Sequence, residues 1–95
     1  MRRPKKSKYK SVVIKKKRYY FYKITWVDIT GDSGHATEYD FMGFLPSVMV
    51  THAYMFSKDR KYVRTFASYE QGDELFSDRN VFPRGCVLKM EKVTL

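Results

Sequence analysis

The stretch YYFYKITWVDI, residues 19–29, limits the possible fold more than any other part of the 95-residue chain. All of its residues except Lys23 and Asp28 are aromatic or β-branched, and such side chains suit a pleated surface better than a helix. Because strand residues alternate between faces, Tyr20, Tyr22, Ile24 and Trp26 share one side, and Phe21, Lys23, Thr25, Val27 and Ile29 the other. Both sides are largely apolar, which predicts a strand covered on both faces over part of its length. Trp26, set among aliphatic neighbours, reads as a core anchor rather than a stacking platform.

Further strands follow. Residues 47–71, SVMVTHAYMFSKDRKYVRTFASYEQ, read as a hairpin with strands at 48–56 and 61–71 around a polar SKDR turn. In VFPRGCVLKMEKVTL, Pro83 and Gly85 impose a tight turn before a last strand at 86–93. SVVI, residues 11–14, is β-branched, but the KKKR after it confines any strand there to an exposed edge. Between the secure strands lies TGDSGHATEYDFMGFLPS, punctuated by Gly31, Gly34, Gly43 and Pro46. A loop of that length is usually functional or carries a short element of its own, and its DFMGFL portion is expected to pack back onto the body. GDELFSDRN reads as a polar loop. No helical period or internal repeat interrupts this pattern, so the fold class is all-β. The expected form is a small barrel of four to five antiparallel strands, since closing the sheet removes edges that so short a chain could not otherwise protect.

Size and composition narrow the function. A domain this small buries only about 60 to 65% of the surface that its unfolded chain exposes, which leaves little room for a catalytic cleft. Cys86 is the single cysteine, so no intramolecular disulfide forms. No apolar run approaches a membrane span, and none follows Arg2 and Arg3 as a secretory signal requires. A reducing, intracellular setting is the expectation.

Charge is distributed very unevenly. Residues 1–25 carry eleven of the nineteen basic side chains and no acid, while residues 26–95 carry eight basic side chains against all ten acids. The chain therefore divides into a basic flexible arm, residues 1–18, and a folded domain, residues 19–95. Arg2, Arg3, Lys5, Lys6, Lys8, Lys10, Lys15, Lys16, Lys17 and Arg18 form a candidate nucleic-acid contact through phosphate neutralisation. Lys58, Arg60, Lys61 and Arg64 on the hairpin form a second cluster that extends it. Tyr9, Tyr19, Tyr20, Phe21 and Tyr22 would add stacking on a single strand. A basic tail of this kind also suits an acidic protein surface.

The segments ITWVDI, VMVTHAYMFSKDRKYV and VFPRGCVLKMEKV, in that order, resemble a group of short, mostly phage-encoded proteins of uncharacterised function. The likeness covers roughly residues 24–93. VFPRGCVLKM is also similar to the turn before the last strand of Src-homology-3-like barrels. The acidic and aromatic residues of a polyproline groove have no counterpart here, so the resemblance implies a phage origin and a barrel, and places the protein in the cytoplasm of a host cell or in a virion.

Other residues read more simply. Asp28 is placed to cap the turn that follows. Asp32, Ser33 and His35 in DSGH are residue types of a nucleophilic triad, yet neighbours in one loop rarely reach that geometry, and a solvated loop is the better reading. His35, His52 and Cys86 have no metal-ligand spacing, and TGDSGH lacks the lysine and following helix of a phosphate loop. No metal, cofactor or enzymatic activity is expected. The ranked expectations are a nucleic-acid-binding protein acting through its arm, then a protein-interaction module, either a virion component or a modulator of a host enzyme, that uses the arm and the 38–45 loop with Phe41, Met42, Phe44 and Leu45 as its contact.

Overall fold

The computed structural model describes residues 8–72 and 75–95. Six strands form one antiparallel sheet: β1 (Ser11–Ile14), β2 (Lys17–Asp28), β3 (Ser47–Lys58), β4 (Tyr62–Tyr69), β5 (Phe76–Pro83) and β6 (Val87–Lys92). A five-residue helix, α1 (Glu38–Met42), interrupts the long loop, and a 3-10 turn (Arg84–Cys86) joins β5 to β6. β1 to β5 follow one another as a meander, while β6 returns to pair with β2. β5 bonds only to β4, so the sheet curls without closing, and the expected barrel gives way to an open sheet. The 3-10 turn carries the chain across the gap that ladder hydrogen bonds would otherwise seal.

β2 is the organising strand because it is long and apolar on both faces. Phe21 to Asp28 pair with β3, while its other edge is shared, with Lys17 to Tyr20 against β1 and Tyr22 to Trp26 against β6. Where the two edge partners meet, three segments exchange hydrogen bonds at one point. Lys10 N–H donates to the Val93 carbonyl, Phe21 N–H to the Lys10 carbonyl, and Val93 N–H to the Phe21 carbonyl, all at 2.8–2.9 Å. Residues 8–10 then leave alongside 93–95, with Tyr9 opposite Thr94. Residues 8–18, expected in the flexible arm, are thus tied into the sheet. Arg2, Arg3, Lys5 and Lys6 lie outside the described residues.

Two cores follow from the two faces of β2. On one, Tyr22, Ile24, Met55, Val63 and Phe82 are buried, with Tyr20, Trp26, Val87 and Met90 against them. Ile24 and Val63 are fully inaccessible, each contributing about 1.5–3 kcal/mol by leaving water. Trp26 meets Phe82 at 5.1 Å between ring centres, and its Nε1 donates to Thr51 Oγ1 at 2.9 Å, so the residue is half-buried against the core as the expected anchor. On the other face, Ile14, Tyr19 and Phe66 form a smaller aromatic core with Val12, Tyr54 and Phe76. A bulge between Met55 and Ser57 places Phe56 beside Tyr19, the rings nearly parallel at 6.0 Å.

Two elements were hidden in the sequence. Residues 76–80 of β5 lie in the stretch that reads as a polar loop, because the only buried residue of this strand is Phe82 and its only partly buried one Phe76. α1 has no buried residue at all. Its start is set by Thr37, whose hydroxyl accepts from Asp40 N at 3.1 Å, and by Glu38 and Asp40 in the first turn, where the helix dipole favours acids.

The β1–β2 turn is unusual. Lys15 and Lys16 both have positive φ, 48° and 67°, the pair that a two-residue type I′ hairpin requires. Asn-Gly satisfies it without strain, whereas a side chain such as lysine pays about 1–2 kcal/mol per residue in this region. Replacing the pair by Lys15→Asn with Lys16→Gly is expected to raise stability by about 1–2 kcal/mol in a urea titration with unchanged slope. An unmoved midpoint would mean that the turn has another geometry.

Candidate functional site

Two surfaces stand out, and they lie on different parts of the chain. The first is the arm formed by the end of β2, the long loop with α1, and the start of β3. Val27 and Asp28 of β2 pair only with Val48 and Ser47 of β3, so the ribbon continues past the end of β6 with two strands. Every residue from Asp28 to Val50 is exposed. Among them are nine large apolar side chains: Ile29, Tyr39, Phe41, Met42, Phe44, Leu45, Val48, Met49 and Val50. At 150–250 Å² per aromatic side chain, the exposed fractions of Tyr39, Phe41 and Phe44 (88, 68 and 41%) alone amount to on the order of 400 Å². That already equals the largest apolar patch of a typical monomer, and six aliphatic neighbours extend it.

The four residues read as a protein interface, Phe41, Met42, Phe44 and Leu45, all lie on this arm. Their expected packing onto the body does not occur. Phe41 and Phe44 instead pack edge-on against each other at 6.2 Å, and Thr30 Oγ1 donates to the Leu45 carbonyl at 2.7 Å to close the base of the loop. Asp28 caps Ile29 N at 2.9 Å, and Asp32 accepts from Gly34 N at 2.8 Å, so the carboxylates in the DSGH region serve as turn acceptors. No group of three or more metal-ligating side chains occurs among the described residues.

The second surface is basic. Lys15, Lys16, Lys17 and Arg18 are consecutive and exposed, and the Arg18 guanidinium donates to Ser11 Oγ. Several basic residues are drawn onto rings: Lys10 lies 4.2 Å from the centre of Phe21, Lys92 4.2 Å from Tyr20, Lys8 5.3 Å from Tyr9, and Lys17 5.5 Å from Tyr19. Tyr19 and Tyr22 are buried. The aromatics expected to stack on bases are therefore engaged by the core or by ammonium groups.

Lys58, Arg60, Lys61 and Arg64 surround the β3–β4 turn as one cluster. Lys58 lies 5.5 Å from the centre of Tyr22, and Arg64 5.2 Å from that of Tyr62. Asp59 organises the turn. Its Oδ1 accepts from both Tyr62 N and Lys61 N at 2.8 Å, and Arg64 lies 3.5 Å from Oδ2. These hydrogen bonds, Tyr62's first, hold the carboxyl below its ordinary 3.8. A depressed carboxylate contributes stability above the unfolded value and loses it as pH falls through the folded one. Arg84, which the sequence did not single out, joins Lys58, Asp59 and Arg60 around a shallow cleft, because its N–H donates to the Lys61 carbonyl at 2.8 Å. The β1–β2 tip instead borders a separate cleft, with Val13, Ile14 and Lys15 facing residues 69–72.

Comparison of the chain with protein-family models, curated proteins and solved structures finds no match in any of the three.

Proposed function

We propose that this is a non-catalytic protein-interaction module that docks through the projecting arm of residues 28–50. One observation carries the reading: nine large apolar side chains are presented on a segment with no buried residue. A chain of this size gains nothing from such exposure when alone, and a partner surface that covers it explains both its composition and its shape. The likeness to short phage proteins supports a setting in a phage particle or in the infected host cell. A meander followed by a 3-10 turn and a strand returning to the first long strand supports an opened relative of the Src-homology-3-like barrel. The test is capture of partner proteins, a differently tagged copy of the chain among them, by the full chain and by a chain in which residues 29–46 are replaced by Asn-Gly. Partners retained only by the full chain support docking, and identical sets on both remove the arm from consideration.

A second reading rests on the consecutive exposed cations Lys15, Lys16, Lys17 and Arg18 at a turn held with positive φ. Backbone strain beside four like charges fits a contact with phosphates, independent of base sequence. Glutamine at all four positions is then expected to weaken duplex DNA or RNA binding and flatten its dependence on salt. Equal binding and equal slope would exclude this hairpin.

A further inference from the structure

We propose that the arm's partner is a second copy of this chain, its acidic tip seated in the groove that β4 and β5 of the next molecule line together with Phe56. This rests on the docking reading above and names its occupant. From Ile24 to Ser57 the chain has no lysine or arginine and four acids, Asp28, Asp32, Glu38 and Asp40, while the remainder holds nineteen basic residues against six acids. The molecule thus carries, on separate surfaces, a tip that is apolar and negative and a body that is strongly positive.

The groove matches that tip in both respects. It encloses about 560 Å³, within the range of sites that hold a small ligand, and room for a large aromatic side chain. Its apolar wall includes Phe56, Leu75, Phe76 and Val81, and Arg64 and Arg79 line it as well. Phe56, Leu75 and Val81 are 39, 59 and 57% exposed, so the wall is open to an incoming side chain. Arg64 is engaged by Asp59 and Tyr62, whereas no ion pair holds Arg79 among the described residues. Phe41 from the neighbouring copy would enter the apolar part while Glu38 or Asp40 meets Arg79. Pairing of two tips is disfavoured, since each would bring four carboxylates and no lysine or arginine to neutralise them. Tip and groove are different surfaces, so the association is head to tail and generates a ring or a filament rather than a two-fold dimer.

The test uses two variants of the full chain at exposed positions, Phe41→Asp for the tip, and Arg79→Glu with Val81→Asp for the groove, each checked for an unchanged melting temperature. Sedimentation velocity of the unaltered chain should show growth with concentration, weakened by high salt. Each variant alone should associate at least about thirtyfold more weakly, as expected for a central anchor. Their equimolar mixture should give a heterodimer and nothing larger, because only one intact tip and one intact groove remain. A monomeric unaltered chain, variants that still associate, or a mixture without heterodimer would each overturn the proposal. Should self-association be absent while the arm still captures another protein, the occupant named here is wrong and the docking reading stands. Should the Asn-Gly replacement also leave capture unchanged, both fall.

Discussion

Phe66→Ala is expected to unfold most of the protein. The ring is 1% exposed and contacts Tyr19, Tyr54 and Phe76 at 5.3, 5.5 and 4.7 Å between centres, with Tyr69 at 6.4 Å. Removing a buried phenylalanine costs about 3–5 kcal/mol, against a total stability of about 5–15 kcal/mol that a chain this short reaches only at its lower end. The effect exceeds that of one lost side chain, because Phe66 is the surface on which the β1–β2 hairpin rests through Ile14 and Tyr19. Without it, the hairpin loses its apolar support. A urea titration checks this, with Phe66→Leu expected to fall between wild type and Phe66→Ala. Val13→Ala, at a position 51% exposed, serves as the control and should shift stability by no more than about 0.5 kcal/mol. A loss below about 1 kcal/mol for Phe66→Ala would show that the hairpin does not rest on this face.

Replacing residues 29–46 by Asn-Gly is expected to do the reverse: it removes the interaction surface and leaves the fold intact. Asp28 lies opposite Ser47, so a two-residue turn joins the strands in register. This segment contributes no side chain to the core, and the deletion gives up the short helix and the Thr30–Leu45 hydrogen bond. Shortening the loop by roughly three doublings lowers its closure cost by about 2 kcal/mol, which offsets those losses. The melting temperature should therefore be unchanged or higher, while arm-dependent association disappears. A large fall in melting temperature would show that the arm supports the sheet, and docking would no longer account for its exposed side chains.

The contrast between the two substitutions tracks what could be read from the sequence. β2 was legible within two residues because its alternation is set by burial on both faces, and the β3–β4 hairpin because its two strands keep that pattern on either side of a charged turn. β5 escaped because an edge strand with one buried residue looks like any polar loop. The apolar residues Phe41, Met42, Phe44 and Leu45 were expected to pack back onto the body, and they are exposed instead: hydrophobicity alone does not say whether a segment is covered by its own fold. The basic N-terminal stretch misled in a related way. Its charge signalled a tail, yet Ile14 and Val12 among the lysines carry enough apolar surface to hold residues 11–20 onto Phe66 and Phe76. Arg84 and Arg79 went unnoticed because only the pairing of β5 with β4 brings them beside the β3–β4 turn and the groove.

The three-way exchange of hydrogen bonds among Lys10, Phe21 and Val93 is expected to form late in folding. β2, β3, β4 and β5 join neighbour to neighbour through local hairpins, but this junction unites segments from opposite ends of the described chain. Contacts so distant in sequence form late, since the intervening chain must first be organised. The junction behaves as a latch that engages after the meander has assembled, so weakening it should hasten unfolding and leave the folding rate almost unchanged.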